Sequence, residues 1–405
     1  MKTAATILLS ICVAQTCAAA IPAFKPEQID AALKIGYGVV LVDINADKKP
    51  DIVVADKERV IWFENPTWEL RTITEGKTKP DNVCIDAHDI DGDGSLDLAL
   101  GAGWQPGNTK DASTLQWLRR GKTLDAPWEM FPIKYDEPTL HRMRFVQLDS
   151  KPAKKALVTV PLMGRGSTRE NNWSESGVNI QIYRIPDDPT KDQWIVQTIN
   201  NRLHVPHNFH AVDLYGRNPW PQLLVASYEG VTLLGKSDEG WLRSDEKHLS
   251  DGDQSNPSGN RGASEIRAGK LKDGSPFIAT IEPWHGHQVV VYTRAVGTAD
   301  WKRSVIDDQL RWGHAVWCAD LDGDGADEII VGVRDPLPGK AQSGVRVYQI
   351  VDADGATKWS KSELDPGGVA VEDLAVADLN GDAKPDIVAV GRQTKNVKVY
   401  WNQVK

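Results

Sequence analysis

Cysteine is scarce in this chain: four residues in 405, and two of them, Cys12 and Cys17, fall within the first twenty. The other two, Cys84 and Cys318, lie in apolar segments far apart in the chain. Cα atoms more than ~7 Å apart cannot be bridged, so two buried free thiols are expected rather than a disulfide framework. Basic clusters are also missing. Lys and Arg number 47 against 56 Asp and Glu, a formal charge of -9, which argues against a nucleic-acid partner. After the first twenty residues no apolar run approaches the ~18 needed for a membrane-spanning helix. Nor do the nine histidines include a tightly spaced pair of the kind that announces a metal site on one helix.

The exceptional stretch is the start, MKTAATILLSICVAQTCAAA. One Lys, an apolar core and a run of small residues predict a secretory signal peptide over residues 1–20, and hence a secreted or periplasmic protein. Ala14-Gln15-Thr16 departs from the pattern that precedes a lipid-modified cysteine, which disfavours a lipoprotein anchored through Cys17.

What the chain has in abundance is a recurring acidic loop: DINADKKPD from Asp43, DIDGDGSLD from Asp89, DLDGDGADE from Asp320 and DLNGDAKPD from Asp378. Oxygen-bearing side chains at positions 1, 3, 5 and 9 suit a hard cation such as calcium. The candidate ligands are Asp43, Asn45, Asp47 and Asp51; Asp89, Asp91, Asp93 and Asp97; Asp320, Asp322, Asp324 and Glu328; and Asp378, Asn380, Asp382 and Asp386. A structural role for that calcium is expected.

Each loop follows one short apolar strand (A) and precedes another (B), as in Val39-Val40-Leu41-Val42 and Ile52-Val53-Val54. A third strand (C) ends on an aromatic, as in Val60-Ile61-Trp62-Phe63. A fourth (D) carries a Trp five positions before Ile or Leu, as in Trp68 and Ile73. Degenerate copies beginning near Arg144, His210 and Glu265 bring the count to seven, and repeats of about fifty residues indicate a propeller. The seventh copy ends without strand D, while Phe24 and Ile29 have the matching spacing at the other terminus. An all-β, seven-bladed propeller over residues 21–405, closed by an N-terminal outer strand, is predicted.

Strand A crosses the disc and ends in the acidic loop, so the loops share one face. On the opposite face fall His141, His204, His207, His210, Glu265, Arg267, Trp312, His314, Glu372 and Asp373. The loops between strands B and C add Trp284, His285, His287, Arg165 and Arg334. Histidine is the side chain most readily poised for proton transfer near neutral pH and a preferred metal ligand. The funnel on this face is therefore the predicted site, with His141, His207, Glu265, His285, His314 and Asp373 as candidate catalytic residues. A second divalent metal at its histidines is a candidate cofactor. His204 and His210 are expected to satisfy backbone groups.

The loops resemble FG-GAP or VCBS repeats. The stretches His141-Arg142-Met143-Arg144-Phe145, His207-Asn208-Phe209, Gly262-Ala263-Ser264-Glu265, Ile281-Glu282-Pro283-Trp284-His285-Gly286, Gly313-His314-Ala315-Val316-Trp317 and Val371-Glu372-Asp373-Leu374 resemble the propeller domain of aldos-2-ulose dehydratase and its bacterial relatives. That resemblance implies an exported carbohydrate-active lyase or dehydratase that eliminates water, or another β-leaving group, from a keto-sugar such as 1,5-anhydrofructose or glucosone. The fungal enzyme also carries cupin domains for a following isomerisation, which these 405 residues do not contain. Elimination next to a ketone needs a base, a holder for the enolate oxygen and an acid. A histidine or Glu265 would be the base; Arg267, a histidinium or a metal would hold the oxyanion; a second histidine would be the acid. Arg267, Trp284, Trp317 and Arg334 are the candidate substrate-binding residues, with Trp312 as a further flat surface. The alternative is a non-catalytic, calcium-stabilised propeller that presents this face to a glycan or protein. The lyase reading requires His207, Glu265, His285 and His314 to line one cavity walled by Trp284 or Trp317.

Overall fold

A computed structural model describes residues 23–404 apart from 149–154, 217, 238–239, 296, 299, 335–342 and 352–357. The expected signal segment lies outside these, as do Asp149, the remnant of the third acidic loop, and Asp335. The described residues form 28 strands in seven four-stranded antiparallel sheets and no helix. This is the seven-bladed propeller that the repeat predicts.

Blade I holds Gly36–Val42, Asp51–Asp56, Arg59–Glu64 and Glu69–Glu75 as strands A to D. The innermost strands of blades II to VII are Cys84–His88, Leu140–Val146, Asn208–Val212, Glu265–Lys270, Gly313–Ala319 and Val371–Ala377. Every residue of the B strands Asp51–Asp56, Asp97–Ala102, Glu328–Val333 and Asp386–Gly391 is buried. Strand B has a neighbouring blade on each face, which is why its sequence reads as a continuous apolar run rather than an alternation. The blades approach closely: a Cβ on Gly332 would sit 2.4 Å from Cγ1 of Val371 in the next blade.

The ring closes as the terminal spacing predicts. Phe24–Asp30 pairs antiparallel with Val397–Asn402, from Phe24 opposite Asn402 to Asp30 opposite Val397, and completes blade VII. The outer edge of the last sheet is thus covered by the beginning of the chain.

The acidic loops also tie blades together through protein atoms alone. Asp51 accepts from the backbone N–H of Ile44 (2.9 Å) and of Asn65 (2.8 Å), joining the loop to the end of strand C. Asp97 does the same with Ile90 and Arg120, and Asp386 with Leu379 and Asn402. The side chains of Asn65 and Asn402 then donate to the carbonyls of Leu379 and Leu321, each in the loop of the adjacent blade. The ninth-position acid is buried because it serves this junction.

A chain lacking residues 1–30 loses the outer ladder of blade VII, at roughly 0.5–1.5 kcal/mol per hydrogen bond, and exposes Val397–Asn402 as a bare edge. The expected result is a lower melting temperature with concentration-dependent aggregation, read by calorimetry and light scattering. An unchanged transition would show that this strand does not latch the ring.

Candidate active site

The funnel face is built from irregularities at the starts of the A strands. In four of the seven blades strand A begins in register with strand B and then skips one residue. The extra residues are Tyr37 in blade I, His141 in blade III, His314 in blade VI and Glu372 in blade VII. A β-bulge of this kind re-aims a side chain out of the pleat, and all four side chains turn into one cavity. His207 stands one residue before its strand, held by its N–H to Ala226 O (3.1 Å). Three further wall residues have left-handed backbone: Trp173 (φ 57), His285 (φ 50) and Trp312 (φ 58). Such conformations cost free energy and concentrate at functional sites.

The cavity has a volume of about 760 Å³, within the range of small-molecule sites. Its floor is a cluster of imidazoles. Nε2 of His285 lies 2.9 Å from Nε2 of His207, and ligand nitrogens of His207, His285 and His314 all fall within 4.8 Å of one another. Three of the rings are oriented from behind. Nδ1 of His314 donates to the Glu372 carbonyl (2.7 Å), and Nδ1 of His141 to the His207 carbonyl (3.1 Å). Nδ1 of His207 is 2.6 Å from Oε1 of Glu265, outside good hydrogen-bond alignment but too close for the proton to lie elsewhere. These contacts consume Nδ1 and leave Nε2 of His207 and His314 with its lone pair, the arrangement that presents an imidazole to a metal.

Burial, reinforced by the guanidiniums of Arg142 and Arg334, holds His207, His285 and His314 well below the usual imidazole range. Burial does the same to His141, with Arg142 adding to it. The floor is therefore neutral at pH 7 and suited to bind a cation. Glu265, fully enclosed, is pushed by burial up to about 7 against the pull of Arg142, while Asn208 donates to its other oxygen at 2.6 Å.

Above the floor, indole rings form the walls. Trp284 stacks on His285 at 3.9 Å between centroids, and Trp312, 45 % exposed, lies over the other side of His285 at 6.1 Å. Trp104 packs against His141. Arg334 and Arg392 complete the rim around Glu372.

Of the residues expected here, His141, His207, His285, His314, Trp284 and Arg334 line the cavity. Glu265 does not: it sits one layer below, against Nδ1 of His207 and 3.7 Å from Arg142, which reaches His141. Arg267 and Trp317 are also off the cavity, because the guanidinium is buried against the indole face at 3.4 Å deeper in the channel. Asp373 accepts from the backbone N–H groups of Val39 and Leu374 instead. His210 Nδ1 accepts from Ala268 N–H, and His204 pairs with Glu229 at 2.8 Å. Wall residues not among the candidates include Tyr37, Trp104, Trp173 and Arg392, the last three in B–C loops that strand polarity already sends to this face. A one-residue bulge and long loops place them there, and neither disturbs the apolar pattern.

On the opposite face, two loops gather three acidic oxygens within 4.8 Å: Asp89, Asp91 and Asp97, and Asp320, Asp322 and Glu328. Among the described residues the loops with Asn45 and Asn380 at the third position form no such acidic trio. Asp93 and Asp324 turn to backbone N–H groups of Ser95 and Ala326. Burial and the neighbouring acids push Asp97 up to about 7 and Glu328 up to about 8.

The fold and floor define a propeller with a three-histidine centre at one funnel mouth. Residues 112–295 match the family model described as aldos-2-ulose dehydratase, beta-propeller domain, and residues 43–100 and 320–389 match FG-GAP-like repeats. The chain is 26% identical over 416 residues to aldos-2-ulose dehydratase of Phanerodontia chrysosporium, an alignment covering 92% of this chain. It spans only 44% of that protein's length. Among solved structures it is similar to BBS1N in complex with ARL6DN (TM-score 0.54, 13% identity, 94% and 96% of the two chains). It is also similar to Saccharomyces cerevisiae Sqt1 (TM-score 0.51, 11% identity, 87% and 81%). These two likenesses show the fold alone. The chain is a β-propeller with FG-GAP-like repeats at residues 43–100 and 320–389, and its central part matches the aldos-2-ulose dehydratase propeller domain.

A raised carboxyl pKa lowers stability as pH climbs from the unfolded value through the folded one. For Glu328 that window runs from 4.5 to about 8. In chelator, Glu328→Gln should therefore gain stability relative to the wild-type chain across this window, measured by chemical denaturation. A pH-independent difference would contradict the burial of a charged Glu328.

Proposed function

We propose that this chain is an exported sugar lyase that eliminates water or another β-leaving group from a keto-sugar bound in the funnel. The observation that carries the reading is the convergence of three neutral imidazoles from blades IV, V and VI on one point of a cavity walled by tryptophan. A binding module has no need of such convergence. The match to aldos-2-ulose dehydratase supports the same class of chemistry.

His207, His285 and His314 would hold a divalent transition metal, since their donor atoms are close, their rings are neutral, and those of His207 and His314 are oriented from behind. Bound there, such an ion supplies Lewis-acid polarisation of the keto oxygen. The chain's own residues do the rest. His141 is the base: its Nδ1–H is committed to the His207 carbonyl, so Nε2 carries the lone pair; at rest it accepts from Arg142 Nη1 at 3.4 Å, and it would exchange that long contact for the proton from the carbon beside the ketone. The electrons of that C–H bond form the C=C bond as the β C–O bond breaks. Tyr37 stands in the same wall; its O–H donates to Asp81 at 2.9 Å, and it would turn from that carboxylate to the departing oxygen to give up its proton there. Trp284 and Trp312 flank the sugar and keep water from the reacting face. Glu265 acts through His207 as a positioning residue.

On the far face, calcium would occupy the Asp89 and Asp320 loops as a structural ion, with Asp91, Asp97, Asp322 and Glu328 as further ligands. The pattern of residues 1–20 supports export.

Incubating the metal-loaded protein with a panel of keto-sugars should produce the ultraviolet absorbance of an enone. His207→Ala and His314→Ala should abolish it, and His141→Ala should lower kcat without loss of metal. Absence of signal across the panel would overturn the lyase reading. Glu265→Gln should weaken metal affinity by ~10–100-fold, the usual effect of removing an outer-shell partner, read by metal titration. Millimolar calcium should reverse the order of stability of the Glu328 pair, because a ligand bound only by the native state stabilises it by mass action; if the order is unmoved, calcium does not bind there.

A further inference from the structure

We infer that the β-leaving group is a glycosidic oxygen carrying a second ring, which departs into an apolar pocket between Trp104 and Trp173. The inference rests on the elimination proposed above and adds the class of leaving group.

The pocket is the part of the cavity that the elimination leaves unused. Blades II and III line it with Val83, Trp104, Pro106, Leu162, Met163 and Trp173. Trp104, Leu162 and Met163 belong to one buried cluster, and the half-buried Trp173 packs against it. The polar lining residues of these two blades are His141, Arg169 and Asn172. Of these Arg169 is exposed, and the Asn172 amide donates to the Gly259 carbonyl at 3.0 Å. Trp173 is set in place before any ligand arrives. Asn172 and Trp173 both have left-handed backbone (φ 51 and 57), and Trp173 N–H donates to Thr168 O at 2.8 Å. A Cβ on Gly107 would lie 3.4 Å from Cη2 of Trp173, so the loop of blade II runs against the indole edge. An indole fixed in this way loses little freedom when a ring stacks on it.

Round the funnel mouth the groups stand in the order that the reaction needs. Blades VI, V and IV bring His314, His285 and His207, where the keto oxygen lies in the proposed reaction. Blade III brings His141, its ring centroid 4.5 Å from that of His207. Blade II brings Trp104, 5.0 Å from His141. Blade I brings Tyr37, which shares a buried cluster with Val83 and Trp104. In the substrate the keto oxygen, the acidic C–H and the leaving oxygen follow one another in the same sequence. The leaving group therefore falls beyond His141, among Tyr37, Trp104 and Trp173. As His141 takes the proton, the C–H electrons form the C=C bond and the bond to the leaving oxygen breaks. Tyr37 gives that oxygen a proton, and the ring departs as an alcohol.

A departing hydroxyl makes no use of this pocket. It is small and strongly hydrated, and it would leave the apolar surface facing water, which is unfavourable in proportion to the area. A ring covers that surface. The size of the cavity agrees. Its volume of about 760 Å³ lies in the upper part of the range for sites that enclose a drug-sized ligand, and a single hexose is about half such a ligand. Trp284 and Trp312 flank the floor, while Trp104 and Trp173 stand beyond His141, so the cavity offers aromatic surface for two rings.

The test uses the full-length, metal-loaded protein and 3-ketoglucosides that differ only in the leaving alcohol: methanol, cyclohexanol or glucose. Methanol and cyclohexanol are alcohols of similar acidity, so a difference between them reports the pocket. By enone absorbance, kcat/KM for the cyclohexyl or the glucosyl compound should exceed that for the methyl compound by roughly tenfold or more. Which of the two leads separates an apolar aglycone from a second sugar. Trp104→Ala and Trp173→Ala should each bring that ratio toward one, and taking the ratio within each variant cancels any effect on His141. Calorimetric titration with the parent glucosides, which carry no ketone and cannot react, gives a readout independent of turnover. Cyclohexyl glucoside or cellobiose should bind roughly tenfold or more tightly than methyl glucoside. Equal turnover and equal binding across each series overturn the inference. So does a preference that survives both substitutions. If a variant fails to fold, the wild-type ratios still decide. Loss of water from free keto-sugars with no elimination from the keto-glycosides sinks the second ring and keeps the lyase. Ring-selective binding without turnover of any keto-sugar keeps the ring pocket and sinks the elimination.

Discussion

Everything at the funnel depends on one pairing, the ladder between Phe24–Asp30 and Val397–Asn402. Seven sheets converge their innermost strands on a common axis only if the ring is closed. The contacts across the seam show what closure places together: Val39 N–H donates to Asp373, and the Asn65 side chain reaches Leu379 O. Tyr37 comes from blade I, whereas Glu372 and Arg392 come from blade VII, yet they share one wall. An open ring would leave the imidazoles of blades IV to VI without the wall that faces them.

The two faces of the disc handle charge in opposite ways. On one, acids crowd into short loops where each carboxylate is met by backbone N–H groups, as Asp89 is by Gly92 and Gly94. Clustered like charge of this kind favours a bound cation. On the other, burial strips charge from the histidines, and guanidiniums supply what remains. Between them lies a buried layer in which Glu265, Arg142, Arg267 and Asp373 are set among one another. Removing one member would leave another charge buried without its counterpart, the costly case for an enclosed ion. That layer separates the face of acidic loops from the face of clustered histidines, over the length of one A strand, roughly 20 Å at about 3.3 Å per residue.

The bulges explain how a repeat designed for packing acquires a site. In a regular A strand, alternate residues face the neighbouring sheets and the channel. Skipping one residue at the first ladder position frees Tyr37, His141, His314 and Glu372 from that alternation, while the strand beyond returns to register and packs normally. The core is not disturbed, so the device is compatible with B strands that are buried throughout.

Blade number, the terminal latch and the separation of acidic loops from histidines were determined by the sequence alone. Each follows from strand length and from the alternation of apolar and turn residues, which are local properties repeated seven times. The convergence of His207, His285 and His314 could be expected on the same grounds, since strand polarity sends all three to one face. The depth of each side chain could not. Glu265 and Arg267 begin strand A of blade V one residue apart from a common neighbour, and only the packed channel decides that the first supports His207 while the second lies flat on Trp317. Nor could the turn of Tyr37 into the wall be read from the chain, because a bulge leaves no periodic trace; Trp104, Trp173 and Arg392 stand in B–C loops that strand polarity sends to this face, but which of them close on the cavity is set by the loops' folding. Periodicity is a property of single strands. Which atoms meet across a funnel is set by seven strands at once.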